Sequence, residues 1–72
     1  MNWRDKLAVL KLAGYVLYES PNWAKSPKYH WRYVCEKEDD PDAPIGAANE
    51  QHRAVSKAFN EYMEALNYEK AS

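Results

Sequence analysis

Tyr29-His30-Trp31-Arg32-Tyr33-Val34-Cys35-Glu36-Lys37 alternates without a break. Tyr29, Trp31, Tyr33 and Cys35 project one way; His30, Arg32, Val34 and Glu36 project the other. That is the period of a β-strand with one face buried. A strand cannot leave its backbone groups unpaired, so this one needs a neighbour. Tyr15-Val16-Leu17-Tyr18-Glu19 is rich in aromatic and branched residues and lies across a connector holding Pro21 and Pro27. It is the natural antiparallel partner.

On either side of this hairpin the period changes. Trp3, Leu7, Leu10, Gly14 and Leu17 recur at spacings of 4, 3, 4 and 3, which places them on one helical face. Asn2 is a suitable N-cap, with Asp5 three residues on as a weak capping box. We expect a helix over 3–13 and a strand over 15–19; one long helix, or a strand beginning at Leu7, also fits residues 7–18. After the hairpin, Glu38 to Pro44 is an acidic connector. From Ala47 to Tyr68 the sequence predicts a long amphipathic helix whose stripe is Ala48, His52, Val55, Phe59, Tyr62 and Leu66, widened by Ala58 and Met63. Its polar face carries Glu50, Arg53, Lys57, Asn60, Glu61 and Glu64. The expected fold is a small two-layer α+β domain over 1–72: N-terminal helix, two-stranded antiparallel hairpin, long C-terminal helix (α-β-β-α).

Seventy-two residues give one domain with a thin core, burying roughly 60% of the surface the unfolded chain exposes. Cys35 is the only cysteine, so no disulfide closes within the chain, and a lone thiol suits a reducing compartment. We therefore expect a cytoplasmic protein, without a signal peptide and without a membrane span.

No reaction chemistry assembles from the sequence. Cys35 and His30 are five residues apart and project from opposite strand faces, which argues against a thiol–imidazole nucleophile. Cys35, His30 and His52 match no zinc spacing, and no metal or cofactor is expected. The acidic run Glu36, Glu38, Asp39, Asp40 and Asp42 fails the calcium-loop template. With Asp40 and Asp42 as its first two ligands, the turn glycine falls on Ile45 and the bidentate glutamate on Gln51. The run reads as a solvated acidic surface. With little room for a pocket, the expectation is a protein that is not an enzyme.

Six of the ten aromatic residues fall between Tyr15 and Tyr33, interleaved with Lys25, Lys28 and Arg32. Tyr29, Trp31 and Tyr33 are assigned to the core face, while Trp23 is either a lid on the core or an anchor for a partner. Two binding readings follow, with Trp23, Lys25, Lys28, His30 and Arg32 as the contact set. One is a protein interface, where Trp, Tyr and Arg concentrate; the other is a stacking platform for single-stranded nucleic acid. Residues 1–33 carry +4 and residues 34–72 carry −5, with a pI near 6.1. Nucleic-acid footprints are strongly basic, so a larger protein or nucleoprotein partner is preferred. A homodimer joined by its helices is a third possibility. Motif-free, aromatic-rich chains of this size are common among phage and mobile-element proteins that block host machinery such as CRISPR complexes. That analogy rests on size and style, and it points to a small inhibitor or adaptor.

Overall fold

The computed structural model describes residues 2–21, 24 and 31–71, with side chains as far as Asn67. It is a small α+β fold with five elements: α1 (Trp3–Leu12), β1 (Tyr15–Glu19), β2 (Tyr33–Lys37), β3 (Gly46–Ala48) and α2 (Gln51–Ala71).

Helix α1 begins where the sequence placed its cap. The Asn2 Oδ1 accepts the Asp5 amide N–H at 2.9 Å, covering one of the donors a helix start leaves open. It ends because Gly14 takes φ +97°, a left-handed geometry that glycine adopts freely. The chain then reverses into β1, which pairs antiparallel with β2, placing Tyr15 opposite Lys37, Leu17 opposite Cys35 and Glu19 opposite Tyr33. The Ser20 amide extends the pairing by donating to the Arg32 carbonyl at 2.7 Å.

The sheet has three strands in the order β1-β2-β3, one more than the expected hairpin. The residues read as the first turn of the long helix, Ala47 and Ala48, instead form β3 with Gly46, pairing antiparallel with Val34, Tyr33 and Cys35. None of the three has strong strand propensity; tertiary pairing overrides it. Their small size is the reason. A Cβ built on Gly46 would collide with the Ala54 carbonyl oxygen and stand 2.9 Å from the Ala58 Cβ, so α2 lies almost directly on β3.

The buried face of α2 keeps most of the expected stripe and adds Ala54 to it. Ala54, Val55 and Ala58 are fully buried, with Phe59 and Tyr62 packed beside them. His52, expected on the stripe, is exposed in the first turn, its Nδ1 3.6 Å from the Glu50 carboxylate; Met63 is exposed as well. The core joins Leu10 of α1, Tyr15, Cys35 and Ala48 of the sheet, and this stripe, with Trp3, Leu7, Leu17 and Tyr33 half-buried around it. All the sheet residues in that set face one way, so both helices cover the same face. Strand β2 is shorter than the alternation suggested. Trp31 and Arg32 precede it, and Trp31 is exposed rather than on the core face; Tyr29 and His30 lie outside the described residues. No helix among the described residues is long and apolar enough to cross a membrane.

Candidate interaction surface

Alternation along the strands fixes what the helix-free face of the sheet carries. Val16 and Tyr18 come from β1, Val34 and Glu36 from β2, and Ala47 from β3, with Val16 opposite Glu36 and Val34 between Tyr18 and Ala47. Tyr18 is exposed and the other four are half-buried. The Tyr18 hydroxyl donates to the Glu36 Oε1 at 2.8 Å, diagonally across the strand pair. This bond orients the first member of the acidic set and leaves an apolar patch of Val16, Val34 and Ala47 around it.

The remaining acids lie at the end of the face where β2 runs into the connector. Glu38, Asp39 and Asp42 are exposed and Asp40 is half-buried. The Asp40 Oδ1 accepts the Asp42 amide at 3.1 Å, a side-chain turn that fixes the connector locally. Among the described residues no group of three or more His, Cys, Asp or Glu converges to hold a metal ion.

Arg32 marks the other end. Its Nε lies 3.3 Å from the Glu19 Oε1, its Cζ is 5.4 Å from the Tyr33 ring centre, and its amide donates to the Asn49 Oδ1 at 3.2 Å. The guanidinium is thus oriented by a carboxylate and a ring at once. Trp23, Lys25, Lys28 and His30, the other members of the expected contact set, lie outside the described residues. Nearby, the Lys57 ammonium stands 4.9 Å from the Trp31 ring centre and donates to the Ala47 carbonyl at 3.1 Å. One lysine of α2 therefore engages the outer strand of the sheet and the approach to β2 together. Sequence spacing alone could not reveal this contact, because it depends on β3.

Cys35 is fully buried. Burial pushes its thiol up from the ordinary 9.0 to about 11, and the Glu36 carboxylate adds to the shift. It stays protonated near neutral pH and packs as a small apolar group.

A surface cleft lies beside the core. A cleft of about 560 Å³ opens between Ala13, the start of β1, the connector and the second half of α2, more room than the expectation of little space for a pocket in so short a chain. Tyr15 and Tyr62 form part of its wall, with ring centres 5.7 Å apart in an edge-to-face arrangement. The Tyr15 hydroxyl is sealed from solvent and has no hydrogen-bond partner among the described residues. No protein-family model, curated protein or solved structure matches the chain.

Proposed function

We propose that the chain is a non-enzymatic protein-interaction module, a small inhibitor or adaptor that docks on a larger protein. The contact is the helix-free sheet face together with its acidic end. The observation that carries this reading is the one-sided packing of the sheet: Val16, Val34 and Ala47 form an apolar strip that neither helix covers. Glu38, Asp39 and Asp42 stand exposed at its end. An apolar centre with a charged margin is how protein interfaces are built. The acidic margin selects a partner whose own apolar patch is bordered by Lys and Arg. A phosphate backbone would meet the same acids unfavourably, which ranks single-stranded nucleic acid second.

The test is capture of partners on the tagged chain, with and without nuclease, in parallel with Val34→Glu and Asp39→Lys. The expected result is a stoichiometric protein that survives nuclease, is lost with Val34→Glu and is weakened by Asp39→Lys. Material that disappears on nuclease treatment overturns the proposal in favour of nucleic acid. A protein retained by both variants, or a dimer in light scattering that Val34→Glu abolishes, overturns it too.

A further inference from the structure

We propose that the outer edge of β1 pairs antiparallel with the same edge of a second copy of this chain, joining two three-stranded sheets into one of six strands. The inference goes beyond the docking reading above and does not rest on it. Hydrogen-bond phase identifies which backbone groups face outward. The Glu38 amide donates to the Gly14 carbonyl and the Ser20 amide to the Arg32 carbonyl. Val16 and Tyr18 are in phase with Gly14 and Ser20, so their backbone groups turn to β2. The N–H and C=O groups of Tyr15, Leu17 and Glu19 therefore point away from the sheet, and no hydrogen bond reaches them from any described residue.

The two edges of the sheet are finished differently. Strand β3 is three residues long, and by the same phase Ala47 alone turns its groups outward; its carbonyl is taken by the Lys57 ammonium at 3.1 Å. Strand β1 is five residues long, pairs without a bulge and contains no proline, glycine or lysine. A longer, regular edge without such a device is a template for another strand. The strand is also complementary to itself. Turned about a two-fold axis at Leu17, every outward N–H meets an outward C=O, with Tyr15 opposite Glu19 of the second copy. Any other antiparallel register leaves Tyr15 or Glu19 outside the ladder. Val16 then stands opposite Tyr18 of the second copy, a branched–aromatic pair on the helix-free face, and the half-buried Leu17 lies against its own counterpart. Lys11, exposed in the last turn of α1 where the chain enters β1, comes to the end of the strand at which Glu19 of the second copy is exposed. Both helical layers fall on one side, and the two helix-free faces become continuous.

The test is sedimentation velocity of the full chain between about 10 μM and about 1 mM, joined to amide hydrogen exchange at both ends of that range. A reversible dimer is expected. In it the amides of Tyr15, Leu17 and Glu19 exchange at least about tenfold more slowly at the high concentration, while those of Val16 and Tyr18, already bonded to β2, change little. No contact between helices gives that alternation. Glu19→Pro removes an outward N–H that β2 does not use and is expected to weaken the dimer at least about tenfold. Glu19→Ala, which loses the same carboxylate but keeps the amide, is expected to weaken it only a few-fold. Val34→Glu, on the docking face, is expected to leave the dimer unchanged, so this inference and the docking reading fail separately. A monomer up to about 1 mM, protection that does not alternate, equal loss in the two Glu19 variants, or a dimer kept by a folded Glu19→Pro chain overturns the proposal. Slowed exchange at the same amides only when a captured protein is bound overturns it too, and assigns the edge to a strand of that protein. Should the proline variant unfold, the exchange pattern of the unaltered chain decides.

Discussion

The joint between β3 and α2 and the corner where α1 turns into β1 each contain one of the two glycines, for opposite reasons. Gly46 needs no unusual backbone; it lacks a side chain because the backbone of α2 at Ala54 and Ala58 occupies the space one would take. Gly14 has room, its nearest neighbours being the flexible stem of Lys37 at 3.6 and 3.8 Å, but its φ of +97° would strain any other residue. The first region is close-packed from small residues, Gly46, Ala48, Ala54 and Ala58. The second is built from large ones, Tyr15 and Tyr62, and leaves a cleft and an unpaired hydroxyl. Small residues let two elements touch backbone to backbone. Large amphipathic ones reach across a gap without filling it.

Gly46→Ala tests the close-packed side most severely. The added methyl meets backbone, not the end of a flexible chain, so α2 or β3 must move. The expected loss is about 3 kcal/mol or more, read as a fall in urea midpoint or as loss of a cooperative transition. Combining it with Ala58→Gly is expected to give no rescue, because the Ala54 carbonyl and the Ala58 amide remain. A rescue would mean that side-chain crowding, not backbone contact, sets the distance.

Next in size is an alkaline effect at the centre of the core, between the two regions. The folded thiol of Cys35 titrates near 11 against an ordinary 9.0. Its contribution is complete below about pH 9 and is lost as pH rises through about 11. Two units of difference correspond to about 2–3 kcal/mol. Tyr15, whose phenol is also raised by burial, adds to the loss in alkali. Unfolding measured at about pH 8 and about pH 11.5 checks this: Cys35→Ala should flatten the dependence, and an unchanged slope would show that the thiol is not the source. Gly14→Ala follows, with an expected cost of about 1–2 kcal/mol from the left-handed backbone alone. A cost as large as that of Gly46→Ala would erase the distinction between the two glycines.

What the sequence made legible follows from the same contrast. Helix α1 and β2 were readable because Leu10 and Cys35 sit on regular periods, whereas β1 rested on its aromatic and branched composition, with a long helix or a longer strand also fitting residues 7–18. Strand β3 was not readable. Gly46-Ala47-Ala48 has no alternation, and its identity depends on pairing with β2 and on how closely α2 can approach. With α2 starting at Gln51, His52 falls in its first turn and is exposed, although the residues that follow it on the stripe pack on the core. Glu36 projects from the face that alternation gave it, whereas Arg32 precedes β2 and pairs with Glu19, which stands opposite Tyr33. The partners that orient them, Tyr18 and Glu19, emerge only from the strand register. The cleft was beyond reach because its walls come from the turn after α1, from β1, β2, the connector and α2, a convergence that no spacing along the chain encodes.

The smallest effect has the opposite sign. In most cores, removing a polar atom from a buried tyrosine breaks a hydrogen bond and destabilises the fold. At Tyr15 there is no bond to break; the hydroxyl was removed from water on folding and received nothing in return. Tyr15→Phe should therefore stabilise the chain by about 1 kcal/mol, at the low end of the penalty for an unsatisfied buried group. The edge-to-face contact with Tyr62 is kept, since it needs only the ring. The check is a higher urea midpoint with an unchanged slope, since the area exposed on unfolding stays nearly constant. A destabilised Phe variant would mean that the hydroxyl does find a hydrogen-bond partner in solution. The corner would then be as well completed as the joint at Gly46, and the difference between the two regions would be one of packing alone.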